Sequence, residues 1–168
     1  MIINKDLFPE NACFGCGHEN EHGMRIEIRQ APDGVVGLVG TFVPRPHMSG
    51  FPGITHGGAI YSALDCLAAW TPTILKPQER AIWILRSASI KYLRPTYPGT
   101  KVALETEITG DGTPLEVRAK ACDESGGLLV RATFKVVSLS PERFVEVAGL
   151  DEFPEEWNKF LDAAGGLE

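Results

Sequence analysis

The stretch THGGAIYSALDCLAAW, residues 55–70, changes character at its second glycine. His56-Gly57-Gly58 is a turn, and residues 59–70 are rich in helix formers. Ala59, Ile60, Ala63, Leu64, Leu67 and Ala68 recur at spacings of one, three and four, which predicts a helix over 59–70. It is apolar nearly all round, so it is expected to be buried. Pro72 and Pro77 are expected to end it, because proline has no N–H to give and its ring crowds the preceding turn. One charge interrupts the run, Asp65.

Around this helix the pattern has a period of two. In Met24 to Gln30, Met24, Ile26 and Ile28 alternate with Arg25, Glu27 and Arg29. Pro32-Asp33-Gly34 reads as a turn and Val35 to Val43 as the returning strand of a hairpin. Residues 44–55 hold three prolines and two glycines and read as a loop with fixed corners. Further strands are predicted at 82–93, 102–108, 115–121 and 128–137, joined by short turns at Pro98-Gly99, Gly110-Asp111-Gly112 and Ser125-Gly126-Gly127. One apolar and one polar face marks an antiparallel sheet covered on one side. The expected class is therefore α+β: a curved antiparallel sheet of about six strands wrapped round one central helix. Residues 1–22 are expected to be an irregular segment, 23–140 the folded domain, and 141–168 an acidic tail. In that tail Phe153, Trp157 and Phe160 fall on one face of a short amphipathic helix.

The chain has 168 residues, 43% of them hydrophobic and 23% charged, in the range of an ordinary globular domain. The 18 glycines and 12 prolines fit many turns. Sixteen basic residues face 22 acidic ones, and six of the acids lie from Asp151 onward beside a single base, Lys159. The rest of the chain is nearly neutral and has no basic stripe, which argues against a nucleic-acid partner. No apolar run is long enough for a membrane span. The opening MIINKDLFPEN lacks the pattern of a secretory leader, so a cytoplasmic, reducing setting and free cysteines are expected.

Two features carry chemistry. The start of a helix leaves backbone N–H groups unpaired at its positive end. Gly57 and Gly58 stand there with no side chain to block an approaching oxygen, so they can serve as an oxyanion hole, or simply permit a tight turn. Asp65 is a carboxylate in an apolar helix, with no cation at i±4. Unless another element pairs it, that position is costly for anything but a general base or nucleophile.

The motif THGGAIYSALD resembles that of hotdog-fold acyl-CoA thioesterases of the PaaI-like group, where a His-Gly-Gly turn opens the central helix and an acid follows nine residues after the His. CFGCGHENEHGMRI, residues 13–26, is similar to the opening of one branch of that group. The resemblance covers residues 13 to 138. It implies the hotdog fold, a homodimer or homotetramer, an acyl-CoA substrate and thioester hydrolysis without metal or cofactor. It also implies that Gly57, with Gly58, polarises the thioester carbonyl. Asp65 would activate water or attack directly, and His56 would shape the turn and position the substrate. Where many relatives have an Asn six residues before the His, this chain has Gly50. Where some have Ser or Thr on the next strand it has Leu85, with Ser87 as the nearby candidate. Arg86, Lys91 and Arg94 are candidates for the phosphates of coenzyme A, Arg94 foremost, or are plain solvated charges. Tyr61, Trp70 and Trp83 are expected to line the pocket or fill the core.

Gly57 and Asp65 are eight residues apart, about 12 Å along a helix. One helix cannot bring both to one carbonyl, but two helices related by a two-fold axis can, so a composite dimeric site is expected if both act. The rival functions are an idle acyl-binding dimer and an enoyl-CoA hydratase, the latter disfavoured because it places its Asp ahead of the His. Cys13-x-x-Cys16, with His18 and His22 close behind, is open to zinc, redox or turn-forming readings. The last is the expectation, with no metal. Cys66 and Cys122 are expected to be buried apolar residues, and His47 a loop residue.

Overall fold

The computed structural model of the protein describes residues 1–32 and 36–167. Asp33 and Gly34 of the expected turn, and Val35, the first residue of the strand after it, therefore lie outside the described residues. The strands are β1 (Glu27–Gln30), β2 (Leu38–Phe42), β3 (Ile82–Tyr92), β4 (Val102–Ile108), β5 (Leu115–Cys122) and β6 (Leu128–Leu139). The helices are α1 (Ile3–Asp6), α2 (Gly57–Leu75), α3 (Pro141–Ala148) and α4 (Glu155–Gly165). All six strands form one antiparallel sheet in the order β1-β2-β4-β5-β6-β3. No helix among the described residues is long and apolar enough to cross a membrane.

The alternation read from the sequence decides which face meets α2. Val102 and Leu104 of β4, Val117 and Ala121 of β5, and Val130, Phe134 and Val136 of β6 are buried against it, while Glu105, Arg118 and Lys120 face outward. Helix α2 presents Ala63, Leu64, Leu67 and Ala68, all fully buried, to this face. A buried polar contact crosses the layer: the hydroxyls of Thr71 and Thr106 are hydrogen-bonded at 2.6 Å. Dry packing of one apolar helix in a curved sheet holds the fold together.

Several expectations need correction. Helix α2 does not stop at Pro72 but runs through it to Leu75. Proline removes only the bond to the carbonyl of Ala68, and burial of Thr71, Pro72 and Ile74 offsets that loss. Strand β1 begins at Glu27 rather than Met24, because Arg25 adopts φ +53°, outside the extended region. The inward set Met24, Ile26, Ile28 is nonetheless buried as expected. Residues 1–22 are not wholly irregular. Helix α1 contains Asn4, which is fully buried and gives Nδ2–H bonds to the carbonyls of Cys16 (2.7 Å) and Ile26 (2.8 Å) while its Oδ1 accepts from Ile28 N (2.9 Å). The amphipathic tail helix is present as α4, with Phe160 and Leu161 buried.

The two sheet edges differ. β1 is four residues long, whereas β3 is eleven and, among the described residues, pairs only with β6. A long unpaired edge is a template for a further strand.

Candidate active site

The start of α2 is built by a cap. His56 holds extended backbone angles (φ −62°, ψ 132°), and its Nδ1 accepts the N–H of Gly58 at 2.9 Å. The turn is tied down by His56 N donating to the Met48 carbonyl (2.7 Å) and Thr55 N to the Thr96 carbonyl (2.8 Å). The cap separates the two glycines: Gly58 has spent its N–H, whereas that of Gly57 makes no hydrogen bond among the described residues. The Tyr92 hydroxyl donates to the Gly57 carbonyl at 3.1 Å, and its ring leaves no slack beside Gly57, where a Cβ would sit 3.2 Å away.

Gly57 opens into a groove that it shares with Gly50, His56, Tyr92 and Arg94. Gly50 lies against His56, whose Cα would be 3.2 Å from a Cβ there. Arg94 is fixed by its Nε–H donating to the Leu128 carbonyl (2.8 Å) and by Asp123 at 3.4 Å, with about half of its side chain still exposed.

Asp65 stands on the one side of α2 that the sheet leaves uncovered, with Tyr61, Ser62, Cys66 and Ala69 half-buried beside it. It makes no ion pair or side-chain hydrogen bond among the described residues. Burial, and then the negative charge of Cys13, hold its carboxyl above the usual range. It lines a second groove, of about 620 Å³, with Cys13, Cys66, Trp70, Trp83 and Leu85. Within one chain the base candidate and the free N–H thus belong to different grooves. Trp70 is both core and wall, and the buried indole N–H of Trp83 has no partner among the described residues. α3 and α4 close one end of this groove with Phe144, Trp157 and Phe160.

Ser87 is not brought to this side. A bulge at Arg86 lets Leu85 pair with Val136 but Ser87 with Lys135, so Leu85 faces the helix and Ser87 the outer, polar face. A one-residue slip moves every later side chain of a strand to the other face. Lys91, in register with Arg131, is also on that outer face. His47 is exposed, but it lies in a single 3-10 turn, Pro46–Met48, rather than in an irregular loop.

The cysteines hold the feature missed in the sequence. Cys66 is not simply buried among apolar side chains. Its Sγ lies 3.8 Å from that of Cys13, and the sulfurs of Cys13, Cys16 and Cys66 are all within 4.8 Å of one another. Donation from Cys16 and then Cys66 pulls Cys13 down to about 2, and that same donation pushes Cys16 up to about 11 and Cys66 well up. Nothing in the spacing of Cys13, Cys16 and Cys66 announces the trio; only the fold of residues 11–17 over α2 forms it.

No protein-family model and no curated protein matches the sequence. Solved structures do match. The E. coli PaaI protein from the phenylacetic acid degradation operon aligns over 70% of this chain and 81% of its own, with 15% identity and TM-score 0.60. A hypothetical thioesterase from Streptococcus pneumoniae TIGR4, solved with coenzyme A, aligns over 68% and 86%, with 18% identity and TM-score 0.59. A thioesterase from Haemophilus influenzae aligns over 74% and 85%, with 16% identity and TM-score 0.63. The helix wrapped in a six-stranded antiparallel sheet is common to all of them, and by that architecture this chain has the hotdog fold.

Proposed function

We propose that the chain is an acyl-CoA thioesterase of the PaaI-like group, acting as a homodimer with two composite sites. The carrying observation is Asp65, a half-buried carboxylate without a counter-ion among the described residues, on the uncovered side of α2. Such a group is costly to keep unless it does chemistry. The unpaired edge of β3 supports a dimer formed by strand pairing, which would set two copies of α2 side by side. The N–H of Gly57 then polarises the thioester carbonyl, and Asp65 of the partner subunit takes a proton from water. The resulting hydroxide attacks the carbonyl carbon, and Gly57 N–H holds the oxyanion. Collapse breaks the C–S bond, and the leaving thiolate of coenzyme A takes the proton held by Asp65 of the partner subunit, which restores the carboxylate.

The substrate class is supported by a coenzyme A complex and an acetyl-CoA complex among the similar structures. Arg94, which lines the same groove as Gly57, would meet a phosphate of the coenzyme, and Gly50 lies at the same mouth. The aromatic end of the groove beside Asp65 favours an apolar acyl group.

A panel of acyl-CoAs, with free coenzyme A separated by chromatography, tests this. At least one should turn over, and Asp65→Asn should slow it about 10² to 10⁴-fold. Acyl-CoA binding without turnover across the panel would make the chain an idle ligand-binding dimer instead.

A further inference from the structure

The segment CFGCG is not used by the chemistry above, yet it is closely fitted to α2. Asn11 Oδ1 accepts the N–H of Cys13 at 2.9 Å, and Gly17 N donates to the Cys13 carbonyl at 3.0 Å, which folds residues 11–17 into a tight loop. Both glycines are demanded by this packing. A Cβ on Gly15 would strike the sulfur of Cys66, and one on Gly17 would strike the backbone of Asn11 and Cys13. The loop is therefore shaped to bring its two sulfurs against a third one on the helix.

The geometry points to a zinc site formed by the thiolates of Cys13, Cys16 and Cys66, with a fourth position open toward the groove that holds Asp65. Zinc binds cysteine sulfur at about 2.3 Å in a tetrahedron, whose S···S edge is then roughly 3.8 Å. The Cys13–Cys66 separation is 3.8 Å, and the remaining pairs lie within 4.8 Å, so the trio closes on an ion by shifts of about 1 Å. The surroundings suit anionic sulfur. Trp70 Nε1–H and Asn11 Nδ2–H both donate to Cys16 Sγ, at 3.2 and 3.4 Å, as outer partners of a metal-bound thiolate do. Among the described residues no lysine or arginine lines the groove beside the three sulfurs. Soft thiolate ligands select a thiophilic ion over magnesium or calcium. Three protein ligands leave one position for water, and the loop that carries two of them is thereby fastened to the helix next to Asp65.

Two measurements on the full-length protein test the site. Protein purified with a reductant and no chelator should hold about one zinc per chain by elemental analysis. After removal of the zinc, cobalt(II) should give thiolate charge-transfer absorption and the visible bands of a tetrahedral ion. Cys66→Ser should weaken zinc binding at least about tenfold in competition with a chromophoric chelator, while Cys122→Ser leaves it unchanged. If Cys66→Ser does not fold, the metal content and cobalt spectrum of the parent protein still decide. Reduced parent protein holding under about a tenth of an equivalent of zinc, with no cobalt spectrum, overturns the site. A metal-free parent whose mass is two hydrogens light overturns it too, since two of the sulfurs would then form a disulfide.

Discussion

Nδ1 of His56 accepts the N–H of Gly58 at 2.9 Å, and this one bond makes the two glycines of the helix start unequal. Gly58 is committed to the cap, so Gly57 is left as the donor available to a developing negative charge. The proposed mechanism therefore uses Gly57 as its donor and leaves Gly58 to the cap formed by His56.

Replacing Gly57 by Pro removes that donor and, like alanine, sets a Cβ 3.2 Å from the Tyr92 ring. It is the first residue of α2, where proline is tolerated, and His56 already has the ψ of 132° that a following proline favours. Thioester hydrolysis should fall about 10² to 10³-fold, with the fold intact by circular dichroism. Gly57→Ala keeps the N–H but sets a methyl 3.2 Å from the Tyr92 ring, and should lose much less.

His56→Ala should lower stability by about 1 kcal/mol, read from the denaturation midpoint, because the cap of α2 is lost. His56→Asn, which retains a capping oxygen, should recover most of it. Equal losses in both variants would assign the cost to something other than the cap.

Arg94→Ala should raise KM for an acyl-CoA roughly tenfold or more, as expected for a charge-assisted bond to phosphate. The same substitution should leave KM for an acyl-pantetheine, which has no phosphate, nearly unchanged. A similar rise for both substrates would show that Arg94 acts through its links to Leu128 and Asp123 instead.

Thr106→Val should destabilise the fold by about 1–3 kcal/mol in chemical denaturation, although the shape is kept. The Thr106 hydroxyl bonds that of Thr71 and the backbone of Leu38 in a fully buried setting, and valine removes these bonds, leaving the Thr71 hydroxyl only its bond to the Leu67 carbonyl.

Much of the fold was legible in the chain because periodicity reports burial directly. The alternation in Val102–Ile108 and Leu128–Leu139, and the apolar run after Gly58, required a helix against one sheet face. Four things escaped, each for a physical reason. Pro72 obeys local sterics less than it obeys the core around it. The bulge at Arg86, which turns Ser87 outward, leaves no mark in composition. Cys66 meets Cys13 through a contact spanning 53 residues, and only tertiary folding creates it. Helix α3 did have a signal: Ser140 caps it, Pro141 opens it, and Gly149, at φ +65°, ends it. The expectation of an unpartnered Asp65 rested on its own helix alone, yet no other element among the described residues supplies a partner.

The most direct test of the composite site is subunit complementation between Gly57→Pro and Asp65→Asn. Neither homodimer should turn over. After reversible dissociation and equal mixing, half of the dimers are mixed, and each mixed dimer has one intact pairing of Gly57 with the partner's Asp65. About a quarter of the parental sites should therefore return, as free coenzyme A per unit time. If mixing restores nothing while the parent protein, treated identically, regains its activity, Gly57 and Asp65 do not act across the two-fold axis.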